Sequence, residues 1–124
     1  MEVTHAPNIR DRSFDLAVDV VCLCQKLDSR AGVARTLARQ LLRSGTSVGA
    51  NVEEAQAAQS RADFVSKCSI SLKEARESNY WLRLLEASGQ YSSDDLKALA
   101  READELSRII GTIIVRTKNR RKDQ

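Results

Sequence analysis

Proline occurs once in this chain, at position 7, and glycine only five times. A sequence so poor in backbone breakers can sustain long helices. It has one histidine, His5, close to the N-terminus. A Ser-His-Asp or Cys-His constellation would therefore lack a positioned base. The Glu-x-x-His half of a di-iron bundle site is missing as well. The sequence thus predicts no catalytic residues, no metal site and no cofactor. Cysteine appears at Cys22, Cys24 and Cys68, an odd number without framework spacing, which reads as free thiols of a reducing compartment. Cys22 and Cys24 are two apart and point to opposite sides of a helix, so they form no CxxC redox pair.

Long apolar runs are also lacking. The longest, Ile109 to Val115, is about a third of a membrane span and contains Gly111 and Thr112. The N-terminal segment carries Glu2 and His5 without an apolar core, unlike a signal peptide. The expectation is a cytoplasmic protein with no membrane partner. No strand is predicted, so no glycine-rich phosphate loop can follow one.

What is present is helical periodicity. In the first segment, Ser13 to Leu27, Leu16, Val20, Leu23 and Leu27 form one stripe. Phe14, Ala17, Val21 and Cys24 form a second beside it. The apolar face is wider than one seam needs, which points to more than one neighbour. The second helix, Val33 to Ala58, has Leu37, Leu41, Val48 and Val52 as its spine. Small residues fill its middle, including Ser44, Gly45, Thr46, Ser47, Gly49 and Ala50. Each glycine there costs about 1 kcal/mol against alanine. Close approach of a neighbouring backbone is the simplest compensation. A kink, or a ligand approaching the backbone, would be others.

The third helix starts at Ser60, with Asp63 at capping-box spacing, and ends at Gly89 as the residue after the cap. Its stripe is Val65, Cys68, Leu72, Ala75 and Leu82. A second stripe of Phe64, Trp81 and Leu85 is interrupted by Lys67, Glu74 and Ser78. The fourth starts near Ser92 or Ser93, ahead of Asp94 and Asp95, and ends near Lys118. Leu96, Leu99, Ala103, Leu106, Ile110 and Ile113 make its seam. Short connectors join the segments, so sequential helices should be antiparallel neighbours. The predicted architecture is all-α, an antiparallel up-down four-helix bundle over residues 12–118. A flexible arm (1–11) precedes it and a basic tail (119–124) follows.

Part of this pattern is specific. Residues 40–55 read Q-L-L-R-S-G-T-S-V-G-A-N-V-E-E-A, residues 60–67 S-R-A-D-F-V-S-K, and residues 72–85 L-K-E-A-R-E-S-N-Y-W-L-R-L-L. These segments resemble the four-helix-bundle family first noticed as proteins encoded within intervening sequences of bacterial 23S ribosomal RNA genes. The resemblance rests on Arg43, Ser47, Gly49, Asn51, Glu54 and Ala55 in helix 2. In helix 3 it rests on Ser60, Asp63, Phe64, Lys67, Lys73, Glu74, Glu77, Tyr80 and Trp81. It implies a four-helix protomer that assembles with itself into a ring of five. It also implies kinship with accessory proteins of diversity-generating retroelements, basic barrels that bind a reverse transcriptase and nucleic acid. The chain departs from those relatives in its charge. From Thr117 to Gln124 four cations stand against one acid, which accounts for the whole net charge of +3 and leaves a neutral body.

The charged residues divide into candidate roles. Arg43, Ser47, Asn51, Glu54, Lys67, Glu74 and Glu77 are expected in a structural polar network, with Arg43 bonding a carboxylate such as Glu74. Arg35 and Arg39 share a helix face with Arg43 and are candidate phosphate contacts; a solvated face with salt bridges is the alternative. Arg116, Lys118, Arg120, Arg121 and Lys122, five cations in seven residues, are the strongest electrostatic signal for RNA or DNA. Phe14, Phe64, Tyr80 and Trp81 are expected as core or interface anchors. The leading expectation is a non-catalytic homo-oligomeric scaffold that meets nucleic acid or a reverse-transcriptase-like protein. The alternative is a protein-interaction module that binds no nucleic acid.

Overall fold

A computed structural model describes residues 8–122, with side chains to Arg120. It contains four helices: α1 (Ile9–Asp28), α2 (Val33–Gln56), α3 (Arg61–Ala87) and α4 (Asp94–Lys122). Contacts between helices run in opposite numerical senses. Arg10 meets Glu53 and Cys24 meets Ala38 across α1 and α2. Val48 meets Ser71 and Ser44 meets Ser78 across α2 and α3. Asn79 meets Ala100 and Glu86 meets Lys97 across α3 and α4. The bundle is therefore antiparallel and up-down, with α1 also touching α4 and the pairs α1/α3 and α2/α4 on its diagonals. Leu16, Val20, Leu27, Leu41, Val48, Leu82, Leu85, Leu96 and Leu106 fill the interior.

The helix ends follow their local chemistry. Ser60 accepts from the amide of Asp63 at 3.0 Å, as its spacing predicts. Asp63 reaches back one residue further than a capping box requires, to the amide of Gln59 at 3.3 Å. Gly89 has φ +75°. Its amide donates to Glu86 O and that of Gln90 to Leu85 O, closing α3 in a Schellman motif. α1 begins at Ile9 rather than Ser13 because the Asn8 side chain accepts from the amide of Asp11 at 2.9 Å. α4 continues past Lys118 to Lys122, since nothing from Asn119 to Lys122 breaks a helix. Most of the expected arm, residues 1–7, lies outside the described residues, as do residues 123–124.

α2 is the helix around which distances are set. A Cβ added at Gly45 would sit 2.8 Å from a methyl of Val20, and one at Gly49 would sit 3.1 Å from the carbonyl oxygen of Ser13. The expected close approach is therefore made by α1. On the α3 side the small residues are serines. The Ser71 hydroxyl donates to Val48 O at 2.7 Å, and the Ser44 and Ser78 hydroxyls lie 2.9 Å apart. Ser44, Ser71 and Ser78 are fully buried. Ser78, read from the sequence as an interruption, belongs to the core because its hydroxyl has both Ser44 and the Glu74 carbonyl within reach. In α4 the last inward steps fall on Ile114 and Thr117, with Ile113 only half-buried.

Gly45→Ala gains about 1 kcal/mol of helix propensity but overpacks a β-branched neighbour, a cost of about 1–3 kcal/mol. Gly111, in α4, has nothing within 4 Å of an added Cβ. Urea melts at fixed protein concentration should show Gly45→Ala less stable than the parent by about 1 kcal/mol. Gly111→Ala should be more stable by up to about 1 kcal/mol. Equal stabilisation by both would refute the close approach.

Candidate functional site

Across α2 and α3 the Arg43 guanidinium donates to Glu74 Oε1 at 3.4 Å and to Glu77 Oε2. Glu77 Oε2 also accepts from the Trp81 indole N–H at 2.9 Å. Trp81 meets the ring of Tyr80 edge-on, with centroids 5.2 Å apart and planes at 73°. On the far side of Tyr80, Arg83 donates to Asn79 Oδ1 at 2.8 Å, and Asn79 donates to the Ala100 carbonyl of α4 at 2.8 Å. A run of side chains thus links α2 to α4 over the outside of α3. Arg43 is half exposed, so its ion pairs position the neighbouring groups more than they stabilise the fold.

Only part of the expected network meets here. Arg43, Glu74 and Glu77 come together. Asn51 donates instead to Ser47 O and Ser47 Oγ one turn back in its own helix, at 2.9 and 3.0 Å. Glu54 is exposed, about 16 Å along α2 from Arg43. Lys67 lies about two turns before Glu74 and makes no ion pair among the described residues. Trp81 and Phe64 pack against the core, whereas Phe14 is 66% exposed and is no core anchor of the protomer.

The arginines of α2 do not form a comb for phosphates. Arg35 donates to the Asp28 carbonyl at 2.9 Å and holds the α1–α2 turn, and Arg43 is taken by its carboxylates. Arg39 alone is exposed and free of an ion pair among the described residues. At the other end of the bundle Arg116, Lys118 and Arg120 are exposed on the last turns of α4. There they complement the helix dipole and are held on a helix, not on a loose tail. Arg121 and Lys122 continue that helix, but their side chains lie outside those described.

Two features escaped the sequence reading. Arg12 donates to both oxygens of Glu102, at 2.7 and 3.0 Å, and to Glu105 at 2.9 Å, clamping α1 to α4. Its hydrogen bonds to Glu102 and then to Glu105 raise its pKa above the ordinary guanidinium value. The second is a row of exposed cations on α3, Lys73, Arg76 and Arg83, around the half-exposed Tyr80. Their spacing of three and seven residues was the available signal.

The remaining reactive groups are the thiols. Burial pushes the Cys24 thiol up to about 11, and Cys68 is also raised by burial. Cys22 is exposed, beside an open groove of about 450 Å³ between α1 and α4. Brief treatment of the native protein with iodoacetamide, read by mass spectrometry, should give one adduct, on Cys22. Equal labelling of Cys24 would contradict the packing of α1 on α2.

Among the described residues no group of three or more His, Cys, Asp or Glu side chains is placed to hold a metal ion. No helix among them is long and apolar enough to cross a membrane. No curated protein matches the sequence. A family model described as 23S rRNA-intervening sequence protein matches residues 7–112. The fold is also similar to the crystal structure of a protein of unknown function from the S23 ribosomal protein family of Bacteroides thetaiotaomicron. That chain is 38% identical, with a TM-score of 0.80 over 86% of this chain and 98% of its own.

Proposed function

The chain belongs to the 23S rRNA-intervening sequence protein family, and we propose that it acts as a non-catalytic cytoplasmic scaffold that assembles with copies of itself and meets nucleic acid or a nucleic-acid-processing protein through the basic end of α4. The observation that carries the assembly is a stripe on the outside of α1. Phe14 is 66% exposed, Val18 44% and Val21 38%, with Leu42 of α2, 38% exposed, near Val21. These residues recur at four and three, so they share one helix face. An apolar patch of this kind is characteristic of an interface. One heterologous contact repeated until it closes makes a ring, and the family resemblance favours five members.

Assembly would also multiply charge. In one copy Arg116, Lys118 and Arg120 are exposed on the last turns of α4, and Arg121 and Lys122 follow them in the sequence. Repeated around a ring they would raise avidity without any new contact. The neutral charge of the rest of the chain supports a second reading, a protein-interaction module without nucleic acid.

Light scattering on the eluting protein should give the mass of an oligomer, and Phe14→Glu with Val18→Glu should return a helical monomer. A parent that is already monomeric removes the assembly. In gel shifts at low salt the parent should bind RNA or DNA. Replacing Arg116, Lys118 and Arg120 by Gln should reduce the salt slope by about 2–3, at roughly 0.7–0.9 per phosphate contact. A parent that assembles but ignores both polymers leaves the protein-interaction module.

A further inference from the structure

We infer that the outward face of α3 is a platform for single-stranded nucleic acid, on which a base stacks against Tyr80 while Lys73, Arg76 and Arg83 meet the phosphates. The inference rests on the nucleic-acid side of the proposed function but not on the end of α4, so the two can fail separately.

Several other cations are compensated, although Arg39, Lys67 and Arg101 have no ion pair among the described residues. Arg10 meets Glu53, Arg12 meets Glu102 and Glu105, Arg43 meets Glu74 and Glu77, and Arg108 meets Asp104. Lys73, Arg76 and Arg83 are exposed and have no ion pair among the described residues. The acids of the same helix turn elsewhere: Glu74 and Glu77 to Arg43 on α2, Glu86 to Lys97 on α4. α3 therefore carries its negative charge on its flanks and its positive charge outward. That sorting favours a polyanion over a mixed protein surface.

Between these cations stands Tyr80, 49% exposed. Its surroundings are fixed from both sides. Trp81, held by Glu77, packs edge-on against it. The Arg83 guanidinium lies 6.0 Å from the ring centroid, tied to Asn79, which is itself tied to the backbone of α4. A ring in such a frame loses little freedom when a base settles on it. An aromatic face accepts any base, and lateral cations follow the backbone, which is how proteins hold single strands without reading sequence. A duplex keeps its base faces stacked inside and offers this ring nothing. From Lys73 to Arg83 the axis advances about 15 Å, room for a few nucleotides.

The platform is separate from the other proposed surfaces. Tyr80 is level with Ala100 through the Asn79 bond, and Arg120 lies about 30 Å further along α4. α3 is diagonal to α1, whose apolar stripe is the proposed interface.

The test uses the full chain, labelled oligo(U) and oligo(dT), and a duplex of equal length, by fluorescence anisotropy at low salt. Tyr80→Ala should weaken single-strand binding about tenfold, within the range of one lost base stack, and leave duplex binding unchanged. Tyr80→Phe should retain it. Arg76→Gln with Arg83→Gln should lower the single-strand salt slope by about 1.4, at about 0.7 per contact. Trp81 emission should change on titration with unlabelled strands in the parent, and circular dichroism should confirm the fold of every variant. The ratio of oligo(U) to oligo(dT) affinity tells which polymer is preferred. Parent-like binding by Tyr80→Ala and by the double Gln variant, together with loss on neutralising Arg116, Lys118 and Arg120, would overturn the platform and leave the α4 end as the site. Competition by polyglutamate as strong as by oligo(dT), insensitive to Tyr80→Ala, would overturn it in favour of an acidic protein.

Discussion

The distance between α2 and its two neighbours is the constraint on which the other arrangements depend. Gly45 and Gly49 let α1 approach until Val20 and the Ser13 carbonyl fill the space a side chain would take. Ser44 and Ser71 let α3 approach until hydroxyls, not methyls, form the contact. At that separation Arg43 reaches Glu77, and Glu77 in turn fixes the indole of Trp81. A wider spacing would leave the arginine in water and the aromatic pair on α3 without its brace. Helix propensity is given up in the middle of α2, and tertiary packing offsets it.

Much of this was legible in the residues, and the reasons differ by element. The seam of α4 and the Gly89 terminus could be read because period and cap chemistry are local. The pairing of Arg43 with the α3 carboxylates followed once antiparallel neighbours were assumed. The start of α1 was missed because Asn8 and Asp11 stand ahead of any apolar period. Ser78 was misjudged because a hydroxyl counts as polar until its partner across the interface is known. The Arg12 clamp joins residues ninety positions apart, and no spacing rule reaches that far. The second stripe of α1 divides: Cys24 is buried in the core, whereas Phe14 and Val21 are exposed.

The surface separates into regions of different character. α1 presents apolar side chains, the end of α4 presents cations, and the outside of α3 combines cations with an aromatic ring. Each follows from which residues the bundle does not need for its interior. Arg10 and Arg12 are consumed in holding α1, and Arg35 in holding a turn. Apart from Lys26 of α1 and Arg39 of α2, the helical cations without an ion pair among the described residues lie on the two later helices.

The hydroxyl contacts between α2 and α3 also bear on how the chain avoids misassembly. An interior of interchangeable aliphatic groups would tolerate a slide of one helix along another by a turn. Here such a slide would break the bonds of Ser71 to Val48 O and of Ser78 to Ser44, each worth about 0.5–1.5 kcal/mol, although Ser44 and Ser78 would keep carbonyl partners in their own helices. The serines thus act as a vernier: the two contacts across the helices close together in one axial alignment only.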